Sequence, residues 1–78
     1  MHTHDLTDPT LASTLRRFRR ESGNTQEDIA FSAGITVAAL ARIERGAANP
    51  HWTTIRRITG ALEISLTELV LAVEDAAL

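Results

Sequence analysis

Apolar positions recur along most of this chain at spacings of three and four, the period of helices with one face turned inward. Leu11, Leu15 and Phe18 form the first stripe, Ile29 with Ala30 the second, and Leu40 with Ile43 the third. Ile55, Ile58 and Leu62 form a fourth stripe, and Leu66, Leu69, Val70 and Val73 a fifth. No stretch alternates with the period of two that a half-buried strand requires. The pattern predicts an all-α fold of five helices.

Cap chemistry divides the stripes. Asp8 is a good N-cap, and Pro9 suits a first helical position, where a missing N–H is no loss. The first helix therefore runs from about Pro9 to Ser22, and Gly23 supplies the left-handed stop. "TQED" starts a second helix at Thr25 with a capping box that has Asp28 in place of the usual Glu, and this helix ends at Gly34. Thr36 caps a third, closed by Gly46. The fourth follows Pro50 and covers roughly Trp52 to Leu62, with His51 as a polar cap and Trp52 expected to pack into the core or a loop. "SLTE", a full capping box of Ser65 and Glu68, opens a fifth that continues to about Ala77. Residues 1–7 read as a disordered tail, and residues 8–78 as one domain.

Composition narrows the function. Seventy-eight residues make a single small domain, near the lower size at which one apolar core suffices. The absence of cysteine excludes a disulfide framework and a thiolate metal site. His2 and His4 fall short of the ligand count a metal needs, so no metal or other cofactor is expected. No segment approaches the roughly 18 uninterrupted apolar residues of a membrane span. "MHTHDLTDPT" lacks the basic-then-apolar pattern of a secretory signal, so a cytoplasmic protein without a membrane partner is expected. Cysteine, lysine and tyrosine are all missing, and no Ser–His–Asp set or phosphate-cradling glycine loop is present, which argues against an enzyme.

A net charge of −2 speaks against a nucleic-acid partner until its distribution is considered. Residues 14–60 hold all eight arginines and only four acids, a local charge of +4. Residues 61–78 hold Glu63, Glu68, Glu74 and Asp75 and no base. A basic middle with acidic ends is an electrostatic footprint with a polarity.

The segment "GITVAALARIERG" at residues 34–46 turns that footprint into a candidate site. A small residue at Ala30 lets two helices cross closely, and Gly34 permits the positive φ of a short turn between them. Ile35, Leu40 and Ile43 then hold the third helix against the core, so its other face projects at a fixed angle. Such a helix fits the major groove of B-DNA with its N-terminal residues nearest the bases.

"TQEDIAFSAGITVAALARIERGAANPHWTTIRRITGALEISLTELV" resembles the Cro/CI-type helix-turn-helix family, also called XRE or phage-repressor-like, over about residues 11–70. The resemblance implies a five-helix phage-repressor-like DNA-binding domain whose partner is double-stranded DNA. It puts Thr36, Val37, Ala38, Ala41 and Arg42 at groove-facing positions. It implies phosphate contacts from Gln26, which would also brace the reading helix, and from Arg45, Asn49, Thr53 and Arg16. Arg19 and Glu44 match the family's structural ion pair, while Arg17 and Arg20 read as a solvated face. Val37, Ala38 and Ala41 offer no hydrogen bonds, but they can press against thymine methyls. Arg42 has the reach for a bidentate contact to guanine.

One such domain makes few base contacts, so members of this family usually bind pseudo-palindromes as dimers with half-sites about 10 bp apart. The fifth helix, about 66–77, offers a homodimer seam of Leu66, Leu69, Val70, Val73 and Leu78, with Leu71 adding apolar surface beyond it. The expectation is a dimeric transcriptional regulator, a repressor, reading DNA through its third helix. Two alternatives stay open: the antitoxin of a toxin–antitoxin pair, with a toxin as protein partner, and a helix-turn-helix fold repurposed for protein contact.

Overall fold

The computed structural model describes residues 8–78, so the expected tail, with His2 and His4, lies outside the described residues. Five helices follow in order: α1 (Pro9–Glu21), α2 (Gln26–Ala33), α3 (Val37–Glu44), α4 (Trp52–Leu62) and α5 (Leu66–Ala77). No strand occurs among the described residues.

The helix starts follow the cap chemistry. Asp8 Oδ1 accepts from the Thr10 and Leu11 amides at 3.0 and 3.1 Å. The box at α2 closes in both directions, Asp28 N–H to Thr25 Oγ1 at 3.1 Å and Thr25 N–H to Asp28 Oδ2 at 3.0 Å. The Thr25 backbone N–H foremost, and then the Thr25 side chain, hold the Asp28 carboxyl below its ordinary pKa. Ser65 and Glu68 form the corresponding box at α5. At α4 the structure departs from expectation. His51 occupies the N-cap position, but its side chain makes no capping bond.

Each helix sends at least one large side chain to the shared core: Leu15 from α1, Ile29 from α2, Leu40 from α3, Ile58 from α4 and Leu69 from α5. α2 packs mainly on α4 and α1 on α5, with α3 held against α1 and α2. Ala30 is buried, and Gly34 takes φ 72°, the left-handed turn that swings the chain from α2 into α3. Leu11, Phe18 and Ile55 are only partly buried and pack against the edge of this core.

Two aromatic side chains stay outside. Trp52 is 59% exposed, which corrects the expectation that it packs into the core or a loop. It begins α4 on the side that borders α5 rather than the core itself. Phe31, on the outer face of α2, is 90% exposed.

Glu63 ends α4 with φ 58° and ψ 38°, the only positive φ at a non-glycine among the described residues. Its Cβ crowds the backbone in that region, and its side chain is exposed. Glu63→Gly should therefore raise stability by about 0.5–1 kcal/mol, since relief of the left-handed cost exceeds the extra chain entropy lost by glycine. Thermal unfolding followed by circular dichroism should show a midpoint a few degrees higher, and an unchanged or lower midpoint would contradict the assignment of strain.

Candidate nucleic-acid interface

The third helix is held by its inward face and displayed by its outward one. Leu40, Ile43 and Glu44 are buried, whereas Thr36, Val37, Ala38 and Arg42 are exposed. Ala38 and Arg42, one turn apart, share the centre of the outward surface. Ala41 is half-buried and sits at the edge of that surface, not on it. Thr36 Oγ1 accepts the Ala39 amide at 3.0 Å as the N-cap, leaving its hydroxyl hydrogen free to donate outward.

A buried acid stands behind this surface. Glu44 is only 3% exposed, yet it lies in the last turn of α3, where a polyanion would meet its charge. Arg19 answers it with two bonds, Nε to Oε2 at 2.8 Å and Nη2 to Oε1 at 2.9 Å. Its remaining Nη1 donates to the Asn24 carbonyl at 3.0 Å, which ties the α1–α2 loop into the same cluster. Gln26 Nε2 donates to Glu44 Oε1 at 3.0 Å. Burial pushes the Glu44 carboxyl up, but hydrogen bonds from Arg19 and Gln26, with the nearby charges of Arg19 and Arg16, hold it below its ordinary value. The Glu44 hydrogen bond holds the Arg19 guanidinium above its own.

That cluster qualifies the role expected of Gln26. Its amide braces the end of α3, so one N–H is already committed, and its carbonyl oxygen cannot accept from a phosphate. Only its second amide hydrogen and its backbone N–H remain for that purpose.

The α3–α4 connection brings Asn49 beside the reading helix, where Ala39, Arg42, Asn49, His51 and Thr54 border one shallow depression. Thr53 borders a separate depression, and Arg45 and Arg16 are exposed outside both. Among the described residues two ion pairs form, Arg17–Glu21 and Arg19–Glu44, and the other six arginines take part in neither. Arg17 also lies 5.1 Å from the Phe18 ring centroid, as suits a solvated helix face.

The expected seam divides. Leu69 is 2% exposed and belongs to the core, so it is not left for a second subunit. Leu66, Val70 and Val73 instead edge an almost wholly apolar groove with Leu11, Trp52 and Ile55. Leu78 falls seven positions after Leu71, on a row apart from Val70 and Val73. Trp52 was the groove residue the sequence pattern passed over. Its place three residues before Ile55, on one side of α4, was the available signal.

The description "Helix-turn-helix domain" belongs to a family model that matches residues 10–72. The chain is 35% identical over 65 residues to the uncharacterized HTH-type transcriptional regulator y4dJ of Sinorhizobium fredii, covering 83% of this chain and 84% of that protein. It is 42% identical over 55 residues to the uncharacterized HTH-type transcriptional regulator YazB of Bacillus subtilis, covering 70% and 80%. Among solved structures, the restriction-modification controller protein C.AhdI from Aeromonas hydrophila aligns with a TM-score of 0.76 at 31% identity, covering 78% of this chain and 92% of that one.

Proposed function

The chain belongs to the helix-turn-helix domain family, and from that premise we propose that it is a DNA-binding transcriptional regulator that reads its operator through α3. One observation carries the reading. α3 is held against α1 and α2 with its only buried charge neutralised by Arg19, and its free face offers one long donor, Arg42, beside small apolar side chains. A helix so mounted can enter the major groove without carrying an uncompensated acid toward the phosphates.

In this reading Arg42 meets a guanine edge, and Val37 and Ala38 meet thymine methyls, with Ala41 at the margin. Thr36 donates to a base or a phosphate. Arg45, Asn49, Thr53, Arg16 and the remaining donors of Gln26 hold the backbone, which positions the protein and carries no sequence information. So sparse a base contact needs a second copy. The groove edged by Trp52, Leu66, Val70 and Val73 is the surface on which two copies meet, and the chain acts as a dimeric repressor. The likeness to C.AhdI favours a small regulator of the controller kind over an antitoxin.

Selection of bound sites from a random duplex pool, followed by gel shifts across a salt series, tests this reading. The recovered sites should be two-fold symmetric with half-site centres about 10 bp apart, and affinity should fall steeply with salt. Single half-sites would overturn the dimer. Binding that ignores salt, or no binding at all, would overturn the DNA reading and favour a fold used for protein contact.

A further inference from the structure

Arg56 and Arg57 on α4 have no part in the interface described above. Both are exposed, neither takes part in the ion pairs among the described residues, and with Thr53 they border a second surface depression. Thr53 adjoins Thr54, which borders the depression of Arg42 and Asn49, so the two surfaces meet along the first turn of α4. Residues 45–62 contain Arg45, Arg56 and Arg57 and no acid, so no carboxylate within this stretch offsets their charge.

Gly60 adds an independent observation. It lies inside α4, one turn beyond Arg56 and Arg57, where glycine is a poor helix residue. A Cβ built there meets no atom within 4 Å, so no neighbour within this chain requires the missing side chain. The outward face of α4 is thus basic, then flat, a surface against which another backbone can lie closely.

We infer that Arg56 and Arg57 form a second grip on the DNA backbone, outside the bases read by α3. This rests on the DNA-reading function proposed above. Arg56 and Arg57 follow Thr53 by three and four residues on one face of α4, so the grip falls on phosphates next to the one met by Thr53. It adds affinity for any duplex and no preference among sequences.

The test measures affinity by fluorescence anisotropy across a salt series, on a duplex from the selected pool and on a random duplex, each with flanking base pairs. The variants are Arg57→Gln, the double variant Arg56→Gln with Arg57→Gln, and Arg20→Gln as a control on the exposed face of α1. The slope of log affinity against log salt should shrink by about 2 for the single variant and about 4 for the double, because each phosphate contact contributes about 0.9 and the dimer carries every substitution twice. The loss should be equal on both duplexes, and Arg20→Gln should keep the wild-type slope. A double variant with the wild-type slope would overturn the grip, as would a control that loses as much. A wild-type protein without salt-steep binding would overturn both this inference and the DNA reading. Wild-type binding with an unaffected double variant would overturn this inference alone.

Discussion

Arg19→Ala should cost about 3–5 kcal/mol of folding stability at neutral pH, the usual consequence of removing one partner from a buried ion pair. A domain of this size has only about 4–12 kcal/mol in total, so the variant should be close to unfolding at physiological temperature. Little water reaches the pair, whose side chains are 11% and 3% exposed for Arg19 and Glu44. Loss of the guanidinium removes both bonds to Glu44 and the bond to the Asn24 carbonyl. It leaves a carboxylate in the core with only the Gln26 amide for company.

The pH dependence separates this account from a simple packing loss. In the wild-type protein the Glu44 pKa is lowered by folding. Its contribution to stability is therefore fully present above the ordinary carboxylate value and is lost as pH falls through the folded one. In Arg19→Ala, burial is opposed only by the Gln26 hydrogen bond and the charge of Arg16, so the folded pKa of Glu44 should rise. The penalty should then be greatest at neutral pH and should ease as the carboxyl protonates. Urea unfolding of both proteins between pH 4 and 8 checks this: the gap should narrow toward acid. A gap that stays constant across that range would assign the loss to the arginine stem and not to the charge.

Arg42→Ala should reduce the preference for the selected operator over random duplex by about 1–3 kcal/mol, roughly 5- to 150-fold, for each half-site. Arg42 is the one exposed side chain on the outward surface of α3 with enough donors to bond two acceptors of a guanine. Val37 and Ala38 keep their methyl contacts in the variant, so some preference for thymine positions should survive. Affinity for random duplex should fall much less, because Asn49, Thr53 and the other backbone ligands are untouched. The fold should be intact, since the side chain is exposed and takes part in neither ion pair among the described residues. Competition binding with operator and random duplexes measures the ratio, and full discrimination by the variant would sink the role assigned to Arg42.

The two experiments act on different sides of one helix. Arg19→Ala acts behind α3, on the Glu44 cluster that also holds the Gln26 amide, and it should weaken binding to every duplex in proportion to the folded protein lost. Arg42→Ala acts in front of α3 and should change the ratio between duplexes. A variant that did both would show that the outward surface depends on the cluster for its orientation.

What the sequence by itself determined, the His51 cap excepted, is what neighbours within about one helical turn govern. Asp8, Thr25 with Asp28, Thr36 and Ser65 with Glu68 start helices because a short side chain reaches amides two or three residues on. Gly34 turns the chain because only glycine enters the left-handed region without crowding its own backbone. Those rules, with the helical period of the apolar residues, were enough for five helices and an outward-facing α3. The tertiary structure decided what depends on partners far along the chain. Glu44 draws on Arg19, twenty-five residues away, and on Gln26, eighteen away, so the commitment of the Gln26 amide was invisible to any local rule. Leu69 and Val70 are adjacent and equally apolar, yet one fills the core and the other edges a groove, because their helix turns by about 100° per residue. Trp52 stays outside because α5 meets α4 beside it rather than over it, and Glu63 is left-handed because the chain must turn there to bring α5 back onto α1.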